Sequence, residues 1–193
     1  MGLHPTSVDK DFKNQLSIIR QQFDKRQYIA IGEIGIDLYW DKTYQKEQTE
    51  AFETQLQWSI DYNLPVAIHS RDAIAQCIAS IKNVGTEKLK GVFHSFGGTT
   101  EELNEILALN NFMLGINGVV TFKNSILSTV LKETDLSNIL IEIDAPIRAS
   151  VPYIEKRNEY SFPCPLYPSY AADDLIRLPL VWSPIITIKP LPV

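Results

Sequence analysis

The sequence predicts an α/β fold built on a parallel sheet, and three observations support this class. Continuous apolar runs recur along the chain, and most of them are followed by segments whose apolar residues repeat at helical spacing. Apolar strands separated by amphipathic helices are typical of a parallel sheet covered by helices. Four of the runs also end on polar side chains of metal-binding types. Because these polar ends are spread over several strands, we expect a (β/α)8 TIM barrel and not an open sheet with one switch point.

The elements follow one another in regular alternation. We expect five strands, at residues 28–33, 65–69, 90–94, 112–117 and 138–143. Since a closed barrel has eight strands, the predicted barrel is incomplete. Helices are predicted between the strands and before the first, at residues 12–23, 45–63, 72–82, 99–110 and 124–132.

Local signals mark several helix ends. Thr6 and Ser7 are predicted to cap the first helix, and Asn63 is predicted to end the second. Thr99 and Glu102 have the spacing of a capping box at the start of the fourth.

The last part of the chain breaks this alternation. Residues 161–193 contain seven of the eleven prolines. Prolines at this density exclude a helix and remove hydrogen bonds from any central strand. We therefore divide the chain into a partial barrel at 1–160 and an irregular, proline-rich tail at 161–193.

Composition places limits on the function. A net charge of -5 over 193 residues argues against a wide phosphate-binding face, although bound metal ions could supply positive charge to a nucleic-acid enzyme. Two cysteines provide no disulfide framework, which suits a reducing cytoplasm. No apolar run reaches membrane-spanning length, so we expect a cytoplasmic protein that does not associate with membranes. No protein partner can be inferred.

The strand-end residues form a candidate metal site. Glu33, His69, His94 and Asp144 each follow a buried run. Taken singly, each has an ordinary structural explanation, such as an ion pair, a hydrogen bond at the rim or a turn. Four such residues at equivalent strand ends favour one divalent-metal site, because imidazole and carboxylate are the ligands of zinc, manganese and related ions.

Other polar and aromatic residues near these strand ends have two interpretations. Arg71 either holds a phosphate by a bidentate contact or is a solvated rim charge. Tyr39 and Trp40 are expected to cover the barrel edge, the alternative being that they stack on a substrate base. His4, before a proline, is expected to be a loop residue.

Five ordered motifs resemble the TatD family of metal-dependent deoxyribonucleases and hydrolases. They are GEIGIDLYW, PVAIHSRDA, GVFHSFGGT, LGINGVVTFK and LIEIDAP, and the opening GLHP is also similar to the family. The resemblance covers about residues 2–159. It implies a TIM barrel of the amidohydrolase type that hydrolyses phosphodiester bonds in DNA with the help of two divalent cations (Mg, Mn or Zn).

The resemblance also implies roles for individual residues. Glu33 would bridge two metals, His69 and His94 would complete one of them, and Asp144 would bind the other and position or deprotonate the attacking water. The family's His-x-His pair is absent from this sequence, and the similarity ends near residue 159, as in a reading frame truncated in front and replaced behind. We therefore expect one well-held metal and very weak or absent cleavage of DNA.

Two alternatives to a deoxyribonuclease remain open at this point. The first is a metal-dependent hydrolase of another ester or amide on the same barrel. The second is a non-catalytic partial barrel that only binds metal.

Overall fold

A computed structural model describes residues 1–143, in which five parallel strands form a single sheet. The strands are β1 (Ile31–Asp37), β2 (Val66–Arg71), β3 (Gly91–Phe93), β4 (Phe112–Ile116) and β5 (Ile139–Ile141). They lie side by side in the order of the sequence, and every neighbouring pair is parallel. The order never reverses, so no switch point of an open doubly wound sheet is present in residues 1–143. The predicted class, an incomplete α/β barrel, is confirmed.

The helices connect successive strands, with α1 preceding the sheet. They are α1 (Phe12–Phe23), α2 (Gln45–Tyr62), α3 (Ile74–Val84), α4 (Thr100–Leu107) and α5 (Leu127–Val130). Asn63 ends α2 in the left-handed conformation, with φ of 52°, as predicted. The capping box of Thr99 and Glu102 at the start of α4 is also confirmed. Within residues 1–143, no helix has the length and apolarity needed to cross a membrane.

Several helix predictions were wrong at their ends, and the helix predicted at 99–110 ends at Leu107. Thr6 and Ser7 do not cap α1, because they lie in a separate 3-10 turn, Pro5–Ser7, and α1 begins after Asp11. The helix predicted at 124–132 is shorter, since α5 is followed by a 3-10 turn at Leu131–Glu133.

The core lies between the sheet and its helices. Each of the strands β1 to β4 contributes side chains with no exposed surface, among them Ile34, Ile68, Phe93 and Leu114. Helix residues that pack in the same core are equally buried, including Phe52, Leu56, Ile81, Leu103 and Ile106. Burying one such side chain contributes about 1.5–3 kcal/mol, so the strands are held firmly beneath their polar ends.

The first strand differs from its prediction in a way that matters for the site. It was predicted to end at Glu33, but β1 continues to Asp37. Between the pairs Ile31–Val66 and Ile34–Ile68 the first strand has one residue more than the second, which makes a β-bulge. Bulges bend a strand and redirect a side chain, and this one lies at Gly32 and Glu33.

Asp144 and the tail at 161–193 lie outside the described residues. The division of the chain into 1–160 and 161–193 therefore stays a prediction.

Candidate metal centre

One carboxylate lies among all three histidines of the chain, at the carboxyl end of the sheet. Oε2 of Glu33 is 3.5 Å from Nε2 of His4 and 3.8 Å from Nδ1 of His69. Its other oxygen, Oε1, is 3.8 Å from Nε2 of His94. The potential ligand atoms of His4, Glu33 and His69 all lie within 4.8 Å of one another. Three consecutive strands and the N-terminal loop therefore deliver four metal-binding side chains to one place.

The spacing of these atoms suits a shared cation better than direct hydrogen bonds. Hydrogen bonds between nitrogen and oxygen are about 2.7–3.2 Å long. Two ligands at about 2.1 Å from one tetrahedral ion are roughly 3.4 Å apart. The distances of 3.5 and 3.8 Å around Glu33 lie nearer the second value. The donor set, imidazole with carboxylate, is one that binds zinc or manganese.

His69 is oriented by a carboxylate on the neighbouring strand. Its Nε2 lies 2.8 Å from Oδ2 of Asp37, whose side chain is 5% exposed. Asp37 is itself held, because its backbone N–H donates to Oε1 of Gln48 at 2.8 Å and its Oδ1 accepts from the backbone N–H of Tyr39 at 3.0 Å. Since an ionised carboxylate can only accept, the geometry assigns the proton to Nε2 and turns the lone pair of Nδ1 toward Glu33. Outer carboxylates orient metal-binding histidines in this way.

His94 has a similar carboxylate partner, Glu142, which follows β5. Its Nδ1 lies 3.0 Å from Oε1 of Glu142, while its Nε2 faces Glu33. The same oxygen of Glu142 accepts from the backbone N–H of Ser95 at 2.5 Å, and the hydroxyl of Ser95 accepts from Nδ2 of Asn117 at 2.8 Å. Ser95 has a φ of 52°, a left-handed conformation that costs about 1–3 kcal/mol in a residue other than glycine. This strained residue lies directly beside a candidate ligand.

The electrostatics of the cluster favour a cation. The pKa of Glu33 is lowered chiefly by the adjacent His4, with the charges of His94 and His69 acting in the same direction and burial opposing them. The pKa of His69 is lowered because burial disfavours the imidazolium, although Asp37 acts against this. At neutral pH the cluster therefore combines a carboxylate anion with a neutral imidazole, the protonation states that bind metal.

The structure brings together three of the four predicted ligands, Glu33, His69 and His94. Asp144 falls outside the described residues. Arg71 does not contact this cluster, because its guanidinium lies over the ring of Tyr39, 3.7 Å from the centroid.

Sequence reasoning missed His4, Asp37 and Glu142. His4 was assigned to a loop, yet its Nδ1 is held 2.8 Å from the hydroxyl of Thr6 and its Nε2 faces Glu33. Two sequence features could have pointed to the carboxylates: Asp37 lies four residues after Glu33, and Glu142 lies near the end of an apolar run. Neither signal says which histidine the carboxylate would meet.

Sequentially ordered parallel strands with imidazole and carboxylate ligands at their carboxyl ends define the class of barrel-fold metal-dependent hydrolases. The model of the family described as TatD related DNase matches residues 1–164. This chain belongs to the TatD family of metal-dependent hydrolases.

Individual relatives agree with this assignment, and the similarity extends beyond residue 159, where it was predicted to end. The uncharacterized metal-dependent hydrolase YabD of Bacillus subtilis (strain 168) is 35% identical over 179 residues, which cover 92% of this chain and 68% of YabD. YcfH of Escherichia coli (strain K12), another uncharacterized metal-dependent hydrolase, is 30% identical over 82% of this chain and 59% of its own length. The crystal structure of the TatD homologue YjjV from Escherichia coli K12 matches with a TM-score of 0.75 and 28% identity, covering 82% of this chain and 62% of YjjV. The chain thus spans 59–68% of the length of these three relatives.

Proposed function

We propose that this chain takes part in metal-dependent hydrolysis of phosphodiester bonds in DNA. The observation that carries the proposal is the position of Glu33, whose two oxygens face different histidines at the carboxyl end of the sheet. The description of the matching family, TatD related DNase, supports DNA as the substrate. The names of YabD and YcfH support metal-dependent hydrolysis without naming a substrate.

In this proposal, different residues bind the metal, orient the histidines and act on the water. Glu33 would hold metal together with His4, His69 and His94, since His4 and His69 face its oxygen Oε2 and His94 faces Oε1. Asp37 and Glu142 keep His69 and His94 in the tautomers that turn a lone pair toward the site. A divalent ion, when bound, supplies activated water and stabilises the charge on the phosphoryl oxygens. We assign Asp144 to the water, which it would position or deprotonate.

The proposal is tested by cleavage of a fluorescently labelled single-stranded DNA with added Mn, Mg or Zn. We expect slow, metal-dependent cleavage, because no His-x-His pair is present to hold a second ion. Glu33→Gln should remove this activity, since it removes a charge that faces three imidazoles. The matched control is Glu87→Gln, at an exposed glutamate between α3 and β3, near the amino ends of the strands. Cleavage that persists in Glu33→Gln, or in the presence of a chelator, would contradict the proposal.

Hydrolysis of another ester or amide is the second candidate. It is supported by similarity to an uncharacterized amidohydrolase of Saccharomyces cerevisiae, at a TM-score of 0.55 and 25% identity over 70% of this chain. A panel of nitrophenyl esters and anilides, assayed beside DNA with the same Glu33 and Glu87 variants, separates the two reactions. Metal binding without turnover of any of these substrates would favour a non-catalytic, metal-binding barrel.

A further inference from the structure

An arginine and two aromatic rings form a cluster, here called the platform, where β1 and β2 end. The guanidinium of Arg71 lies 3.7 Å from the ring centroid of Tyr39 and 5.7 Å from that of Trp40. The two rings meet edge to face, with centroids 4.6 Å apart and an interplanar angle of 88°. Cation–π contacts of this kind hold the three side chains together at the surface.

The platform is open to solvent. Trp40 is 78% exposed and Tyr39 is 48% exposed, so a large part of each ring faces solvent. Trp40 is the most exposed large hydrophobic side chain among residues 1–143. The described fold therefore makes little use of this ring for its own packing.

The platform is built on the same carboxylate that orients His69. Oδ1 of Asp37 accepts from the backbone N–H of Tyr39 at 3.0 Å, and Oδ2 of Asp37 lies 2.8 Å from Nε2 of His69. The backbone N–H of Leu38 donates to the carbonyl oxygen of Arg71 at 2.9 Å, which ties the end of β1 to the end of β2. Both attachments fix the platform beside the candidate metal centre.

We propose that the platform binds an unpaired base of single-stranded DNA next to the bond that is hydrolysed. This inference rests on the proposed function and names the form of its substrate. An exposed indole offers a face on which any base can stack, and a guanidinium adds a contact to a neighbouring phosphate. Bases of a duplex are already stacked on both faces and cannot use such a surface.

The charge of the chain agrees with recognition by stacking. At a net charge of -5, the chain is not composed like a protein that binds DNA through a broad basic face. One arginine beside two rings is instead the composition of a small stacking site. Because a single arginine neutralises about one phosphate, the affinity of such a site should depend only weakly on salt.

The experiment measures binding without cleavage, using the full chain in a chelator. A labelled oligothymidylate of about eight nucleotides is titrated with protein up to about 1 mM and followed by fluorescence anisotropy. The test variants are Trp40→Ala and Arg71→Ala. The matched control is Arg26→Ala, because Arg26 also lies over a tyrosine, 5.5 Å from the ring of Tyr28, but at the amino end of β1.

We expect each test variant to weaken binding about tenfold and Arg26→Ala to leave it unchanged. A strand that is abasic throughout should bind the parent chain about as weakly as the normal strand binds Trp40→Ala. The salt dependence should correspond to about one phosphate contact, with a logarithmic slope near -0.7.

Three results would overturn the proposed role of the platform. They are no binding of the oligonucleotide by the parent chain, equal affinity for duplex DNA, and unchanged affinity in both test variants. The proposed function is judged separately, from cleavage and from metal titration of the same proteins. A parent chain that cleaves DNA while its platform variants bind normally would refute only the platform. A chain that binds as expected but never cleaves with any metal would refute only the proposed function.

Discussion

Two carboxylate–histidine pairs flank Glu33, and they are held in different ways. In the first pair, Asp37 is 5% exposed, and its two oxygens and its backbone N–H each have a separate partner. In the second pair, Glu142 is 14% exposed, and its backbone N–H donates to the carbonyl oxygen of Ile116 at 3.0 Å. Its single oxygen Oε1, however, lies near both the ring of His94 and the backbone N–H of Ser95. The first pair is therefore the more firmly fixed.

The difference follows from where the partners lie in the sheet. Asp37 and His69 are on adjacent strands, so the pairing of β1 with β2 places them together. Glu142 follows β5 and must reach across β4 to meet a histidine that follows β3. Its path crosses Gly115, where a Cβ atom would collide with the carboxylate of Glu142. The second pair thus depends on the absence of a side chain from the strand between its members.

Removing either histidine should have the largest effect. His69→Ala and His94→Ala should each lower the affinity for Mn or Zn by more than about a hundredfold, beyond the cost of losing an outer carboxylate. Isothermal titration measures the affinity, and circular dichroism verifies that each variant is folded. If one of the two variants kept the parental affinity for metal, its histidine would not be a ligand. The two carboxylate–histidine pairs would then not serve one site.

The next largest effect is expected from Asp37→Asn. An amide can donate to Nε2 of His69, which would place the proton on Nδ1 and block the atom that faces Glu33. Replacing a residue that orients a metal-binding histidine typically lowers metal affinity by roughly 10–100-fold, and we expect a loss near the upper end of that range. Asp61→Asn, at an exposed aspartate on α2, is the matched control and should change nothing. An effect no larger than that of the control would mean that Asp37 does not set the tautomer.

A smaller effect is expected in the second pair, at Gly115→Ala. The new methyl group should push Glu142 away from His94 and lower metal affinity about tenfold, as Glu142→Gln should do directly. Because both changes remove the same contact, the double variant should be no weaker than either single variant.

Gly97→Ala is the control for Gly115→Ala, since a Cβ there meets nothing closer than the carbonyl oxygen of Ser95 at 4.0 Å. Additive losses in the double variant of Gly115 and Glu142 would show that the methyl group acts elsewhere.

The smallest effect on metal is expected from Cys77→Ala. The thiol of Cys77, on α3, lies 3.9 Å from the carbonyl oxygen of His69. Burial raises the pKa of Cys77 to about 12. A neutral, buried thiol is not a ligand. Metal affinity should stay unchanged, while the free energy of unfolding should fall by about 1 kcal/mol, as measured by denaturant titration. A tenfold loss of metal affinity would instead place the thiol in the metal centre.

Much of the fold was predictable because its signals are local. Apolar runs, helical spacing and the capping box at Thr99 each involve residues close in sequence, and they correctly indicated the five strands found in residues 1–143. Three metal-binding side chains, Glu33, His69 and His94, were also recognisable, since each adjoins a buried strand.

The contacts between those side chains were not predictable in the same way. A bulge at Gly32 and Glu33 redirects the carboxylate, and no residue pattern announces where such an insertion occurs. His4 reaches Glu33 through a 3-10 turn that pattern analysis had treated as a helix cap. Arg71 has a nearby aromatic partner because β1 extends beyond its predicted end, which brings Tyr39 alongside.

The consecutive order of the strands has a consequence for how the protein is made. Paired residues are close in the chain, with Gly91 opposite Phe112 and Ile31 opposite Val66, so each strand can join the sheet soon after it leaves the ribosome. His69 can meet Asp37 once the second strand has docked, well before residue 142 has been synthesised. Glu142 emerges later and meets a histidine that is already in place. We therefore expect the metal centre to assemble in the direction of translation, with its more firmly held half first.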